Sequence, residues 1–183
     1  MTARGLFLMM TASGVLLIAA PVWSGHAPRF IWNASASVPV GLYRVEPADR
    51  IAVTDLAIVM PPEPLAGFLD ARGYLPRGVP LLKRVLALAG QTVCREGFDI
   101  IAYGWRYGAA RERDSRGRPL PVWQGCRVVP SDAAFLMNWD APDSFDSRYF
   151  GPLPLSSIVG RAVPIWTTDG DIDPASEPVP DEP

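Results

Sequence analysis

Lysine and histidine are nearly missing from this chain. Of its 17 Lys and Arg residues all but one are Arg, and Lys83 is the sole lysine. His26 is the sole histidine. A Ser-His-Asp triad would have to draw on His26, beside an apolar N-terminal run, and a zinc site would have only His26, two cysteines and carboxylates. Most histidine-based chemistry is therefore excluded from the main domain, and neither a metal nor a cofactor is expected. The two cysteines, Cys94 and Cys126, lie 32 positions apart. In an exported domain they could close a disulfide contributing about 2–4 kcal/mol, and two free buried thiols are the alternative. The basic surplus is mild and spread out, so no nucleic-acid partner is expected.

What the chain has instead is proline and glycine, 20 and 16 residues among 183. That content argues against a helical bundle and for a mainly β, loop-rich fold of one domain with attachments. Gly5 to Trp23 is a 19-residue run without a charge. It is long enough to cross the roughly 30 Å hydrocarbon core as a helix. Pro21 and Trp23 mark its far end at interface depth, and Arg4 favours a cytoplasmic N-terminus. The chain is thus divided into a cytoplasmic N-terminus (1–4), a transmembrane anchor (5–23), a main domain (24–166) and a tail (167–183). A cleaved signal peptide is the alternative for the anchor, although Ala19-Ala20-Pro21 matches a cleavage site poorly. The tail carries six acids and no base, lacks aliphatic bulk, and is expected to be disordered.

Between these ends the pattern reads as short strands. Residues 30–60 mix aromatic and β-branched residues with Ser, Pro and Gly, and Pro61-Pro62 ends them. A short helix is expected at Leu65–Ala71, a strand over 79–89, a turn at Gly90 and a strand over Gln91–Arg95. Residues 98–126 are expected to form one long hairpin with a charged, solvated tip at ARERDSRGRP. Further strands are expected in 127–166.

Lys83 lies in the most apolar run outside the N-terminus, VPLLKRVLALAG. A buried ammonium without a partner tends to lose its proton, whereas Arg stays charged and cannot act as a base. The sole lysine thus reads as a candidate general base, against a snorkelling Lys at a strand end. Its candidate partner is in Asn33–Tyr43, NASASVPVGLY, shortly beyond the apolar run. A neutral amine could accept the Ser37 hydroxyl proton and return it to a leaving amine. A polar turn after an anchor is the other reading of that stretch. Gly41 permits close backbone approach and Pro39 removes a donor.

In order along the chain, Ser-x-Pro after an apolar N-terminus, Leu-Lys-Arg-Val with a following Gly, and Ser144-Phe145-Asp146-Ser147-Arg148-Tyr149-Phe150-Gly151 resemble the type I signal peptidases. SVPVGLY and the stretch Gly117–Cys126 are similar to the conjugal-transfer branch of that family, the TraF-type pilin maturation peptidases. The resemblance covers nearly all of 30–166. It implies a signal-peptidase-like β fold and a Ser/Lys dyad, with Ser37 as nucleophile and Lys83 as general base. It implies an oxyanion hole from the Ser37 amide with help from the Ser35 hydroxyl, Ser144 orienting the lysine, and Asp146 with Arg148 as a supporting ion pair. Ser35 remains the alternative nucleophile, because Pro39 follows one residue sooner than in the secretory enzymes and Val38 replaces their methionine. Gln91 stands where they carry aspartate. The partners implied are a pilin precursor or another exported protein, and the bilayer; the location implied is the bacterial inner membrane with the catalytic domain in the periplasm. Hydrolysis and head-to-tail cyclisation of the pilin are both open. A general signal peptidase and a non-enzymatic assembly factor of a transfer channel are the rival readings. A self-cleaving repressor with the same dyad is a third, against which the apolar N-terminal run and the lack of a DNA-binding region stand.

Overall fold

The computed structural model describes residues 3–23 and 28–168. His26 and the chain beyond Thr168 lie outside the described residues, and with them most of the segment expected to be a disordered tail.

An N-terminal helix, α1 (Ala3–Trp23), precedes the main domain. Its described apolar side chains are exposed, among them Leu6, Phe7, Leu8, Met9, Met10, Val15 and Leu16. Taken over the described residues, no helix is long and apolar enough to cross a membrane.

The main domain is mainly β, in two antiparallel sheets. The larger contains β1 (Phe30–Asn33), β2 (Gly41–Glu46), β3 (Leu56–Val59), β4 (Leu81–Ala87), β9 (Ala133–Leu136), β10 (Leu153–Pro154) and β11 (Ile158–Thr167), in the order β1-β2-β11-β3-β4-β9-β10. The smaller contains β5 (Thr92–Glu96), β6 (Asp99–Ala102), β7 (Trp105–Ala109) and β8 (Gly125–Val128), in the order β7-β6-β5-β8. Two short helices, α2 (Leu65–Ala71) and α3 (Ser147–Phe150), sit in the connections. The helix expected at 65–71 is therefore present.

β4 explains why the run around Lys83 is so apolar. It lies between β3 and β9, and Leu82, Lys83, Val85, Leu86 and Ala87 are all buried. A strand covered on both faces reads as a near-continuous hydrophobic run rather than an alternating one. The turn after it is closed by Gln91, whose Oε1 accepts from the Leu88 amide at 2.6 Å. A carboxamide thus does the work that an aspartate could do there. One apolar cluster joins Val38, Tyr43, Ile58, Leu82 and Ala162. It ties the residue after Ser37 to the residue before Lys83. Gly41 is needed where β2 passes β11, since a Cβ there would lie 2.1 Å from the Trp166 carbonyl oxygen.

The expected long hairpin over 98–126 is not what the chain forms. β6 and β7 already make a short hairpin, turning at Tyr103 (φ 54°) and Gly104 (φ 80°). Two successive positive φ angles are what a tight two-residue hairpin turn requires. The returning segment becomes β8, which pairs with β5 on the other side of the sheet. Cys94 and Cys126 are direct partners in that pairing and are joined by a disulfide. The Arg-rich segment between is largely exposed, as expected, and is tied down at its centre. Asp114 accepts from the Arg116 and Arg118 amides at 2.9 and 2.8 Å and from the Tyr74 hydroxyl, which folds the loop back on itself and against the end of α2. At the other end, Thr167, expected in the acidic tail, is instead the buried last residue of β11.

Candidate active site

Lys83 reaches the site from the middle of β4 and is only 3% exposed. Its Nζ donates to Ser144 Oγ at 2.6 Å. Burial pulls the Lys83 ammonium down from its ordinary 10.5 to about 8, with the Asp146 carboxylate opposing and Arg148 assisting. At that value roughly a tenth of the amine is neutral at pH 7, where an exposed lysine has almost none.

Ser144 is held in place by residues two and four positions further along the chain. Asp146 caps the N-terminus of α3, accepting from the Arg148 amide at 3.1 Å. The Arg148 guanidinium grips the same carboxylate with two bonds, Nε to Oδ1 and Nη2 to Oδ2, both 2.9 Å. Both side chains are fully buried. A planar guanidinium suits such two-point contact. Arg148 also donates to the carbonyls of Ala109, Asn138, Ala141 and Ser144. One cation thereby gathers the whole loop that carries Ser144.

The serine loop is held by Asn33, at the end of β1. Its Nδ2 donates to the carbonyls of Ser35, Val38 and Pro39 at 2.8, 3.1 and 3.0 Å. Its Oδ1 accepts from the Ser35 amide at 3.1 Å and the Ser35 hydroxyl at 3.0 Å. Ser35 Oγ lies 3.2 Å from Ser37 Oγ. A hydroxyl has one proton. With the Ser35 proton committed to Asn33, Ser35 accepts and Ser37 donates. Tyr43 braces the loop from below, its hydroxyl donating to the Pro39 carbonyl at 2.6 Å.

A cavity of about 400 Å³ brings the two halves together. Ser35, Ser37, Lys83 and Ser144 all line it. Its far wall contains Arg111, Asp114, Ser115 and Arg116, from the segment expected to be solvated surface. Arg111 is ion-paired with Asp143, next to Ser144. Ser37 also lines a second cavity of about 350 Å³, with Arg84, Asn138 and Asp140. Six of the sequence-derived candidates thus fall at one place: Ser35, Ser37, Lys83 and Ser144 on the cavity, Asp146 and Arg148 behind it. Cys94 and Cys126 lie apart from it, in the smaller sheet.

Sequence reasoning missed Asn33 and Asn138. Asn138 Oδ1 accepts from the Arg84 amide at 2.8 Å, and its Nδ2 donates to the Leu82 carbonyl at 3.1 Å. The one available signal was a polar residue ending an apolar run, AFLMN. Among the described residues, no cluster of His, Cys, Asp and Glu is placed to hold a metal ion.

The family model for signal peptidase, peptidase S26, matches residues 3–167. A probable conjugal transfer protein TraF from Sinorhizobium fredii is 37% identical over 169 residues, 86% of either chain. A conjugal transfer protein TraF from Agrobacterium fabrum is 37% identical over 179 residues, 92% of this chain and 99% of its own. A plasmid transfer protein TraF from Escherichia coli is 36% identical over 147 residues, 74% of this chain and 81% of its own. With a match along nearly its whole length, the chain belongs to the signal peptidase family, peptidase S26, and its relatives there include proteins named for conjugal transfer.

Proposed function

We propose that this chain is a membrane-anchored serine endopeptidase that processes a conjugative pilin precursor with a Ser37/Lys83 dyad. The observation that carries the reading is the buried Lys83 amine, hydrogen-bonded to Ser144, on the same cavity as Ser37. A neutral amine that donates one N–H to Ser144 keeps its lone pair for the Ser37 proton.

In the first step the Ser37 hydroxyl turns from Ser35 toward Lys83, and its Oγ attacks the scissile carbonyl carbon while Lys83 Nζ takes its proton. The oxyanion is met by the Ser37 amide, with Ser35 assisting once its hydroxyl turns from Asn33. The C–N bond breaks, and the leaving amine takes the proton from Lys83. The ester on Ser37 is then attacked by water, giving a free acid, or by the pilin's own terminal amine, giving a closed ring. In either case the attacking group loses a proton to Lys83 and Ser37 regains one.

Apolar surface supports placement against a bilayer. Beyond the exposed side chains of α1, Phe30, Trp32, Ile165 and Trp166 are exposed, and Trp32 stacks on Trp166 with ring centroids 5.9 Å apart. The disulfide suits an oxidising compartment, so the catalytic domain is assigned to the periplasm of a bacterial inner membrane.

Mass spectrometry of a pilin precursor co-expressed with this chain tests the reading. Removal of a terminal segment is expected, with or without the further loss of one water for ring closure. Ser37→Ala and Lys83→Arg are expected to leave the precursor whole. Processing that persists in either variant contradicts the dyad. Equal cleavage of a panel of unrelated preproteins would instead favour a general signal peptidase.

A further inference from the structure

Asn138 stands where the main chain leaves the sheet. β4 and β9 pair as far as Val85↔Leu136, and the Met137 amide still donates to the Arg84 carbonyl at 2.8 Å. One residue later the backbone turns away to build the loop carrying Ser144. The side-chain amide of Asn138 takes over, bonding the Arg84 amide and the Leu82 carbonyl as a continuing strand would. Those are the two residues flanking Lys83. The main chain of Asn138 points the other way. Its amide donates to Asp146 Oδ2 at 3.1 Å, and its carbonyl accepts from Arg148 Nη2 at 3.2 Å. Asn138 is 2% exposed, and its bonds to Leu82, Asp146 and Arg148 are buried, where losing a partner is expensive; the bond to the Arg84 amide is part-buried.

We propose that Asn138 is a positioning residue, coupling the buried Asp146–Arg148 pair to the backbone on both sides of Lys83 and so fixing where the lysine amine sits. This rests on the reading of Lys83 as general base. The clamp acts on backbone, so it sets the depth of Lys83 without touching its side chain. Asp146 and Arg148 are the charges that act on the amine, and Arg111, Asp114, Arg116 and Asp143 share its cavity. Asn138 adds no charge of its own.

The test uses the full-length protein in detergent with a fluorogenic peptide spanning the junction at which the co-expressed pilin precursor is cut. Cleavage is followed from pH 6 to 10, with thermal melting as the check on folding. Asn138→Ala should lose roughly ten- to a hundred-fold in rate, as expected when a reacting group is misplaced by about an ångström. Its acid limb should move up by about one pH unit, as the loosened amine regains water. Asn138→Asp keeps the size and the acceptor for Arg84. It loses the donor to Leu82 and brings a carboxylate near the amine, so its limb should move the same way. If both variants keep the wild-type limb, and lose rate only as far as they lose folded protein, Asn138 is a packing residue and the proposal is overturned. Lys83→Arg in the same assay separates the two ideas. Cleavage by that variant, or none by the wild type, overturns the general-base reading rather than the role of Asn138 alone.

Discussion

The Lys83 amine and the Ser144 hydroxyl, 61 residues apart in sequence, meet at 2.6 Å in a buried contact. Neither could hold the other in place unaided. Lys83 is fixed by a strand paired on both sides, and Ser144 by a loop drawn in by the Arg148 guanidinium. The contact therefore reports whether two separately built parts of the fold are in register.

Burial of Lys83 ties stability to pH. The folded state lowers its pKa from 10.5 to about 8, so between those values the unfolded chain binds more protons and stability rises with pH. Below about 8 the full cost of the buried amine is present, on the order of 3 kcal/mol. Lys83→Met should remove this dependence. Denaturant unfolding of both proteins at pH 7 and pH 10 should show the variant more stable at pH 7, with the difference shrinking at pH 10. Taking the difference between the two cancels the groups that both proteins share.

The Asp146–Arg148 pair should act mainly on the fold. Removing one partner strands the other without water, and typically costs about 3–5 kcal/mol. Arg148→Ala is expected to lose that much in denaturant melts, and processing with it. A fully folded Arg148→Ala protein with wild-type melting would contradict the role given to the pair.

Ser35→Ala separates the two serines. If Ser37 is the nucleophile, losing the Ser35 hydroxyl removes one oxyanion donor and should lower kcat by about 10²–10³. Ser37→Ala should leave no acyl-enzyme at all. Trapping with an acylating inhibitor, read as a mass adduct on a Ser35→Ala protein, checks this. An adduct that disappears with Ser35 and survives loss of Ser37 would reverse the assignment.

How much of this is legible in the sequence depends on what each residue needs around it. Lys83 is legible because its rarity and its apolar neighbours carry the chemistry in one dimension. Ser144, Asp146 and Arg148 are legible because they fall within a single eight-residue motif. Asn33 and Asn138 are not. Asn138 replaces a strand, which is recognisable only once the strand ends are known, and its bond reaches back to residue 82. Asn33 makes only local bonds, to residues 35, 38 and 39, inside a stretch that also reads as a polar turn. The 98–126 segment misleads for a related reason. Tyr103-Gly104 lacks the Asn-Gly or Asp-Gly signature of a hairpin turn, so the pattern suggests a longer hairpin than the chain forms. The Arg-rich stretch is solvated, as its composition suggests, with Arg111, Glu112, Arg113, Ser115 and Arg116 exposed. What composition does not show is that the bonds of Asp114 bring it to the edge of the cavity.

The sole lysine allows one measurement on the centre of the mechanism. In protein labelled with 13Cε-lysine, a single side-chain signal reports Lys83 without assignment, and its shift against pH gives the amine's own titration. The account predicts a midpoint near 8 in the folded full-length protein, returning to the ordinary 10.5 on unfolding. A folded-state midpoint at 10.5 would leave almost none of the amine neutral at pH 7, against roughly a tenth at a midpoint of 8, and would contradict its role as the base.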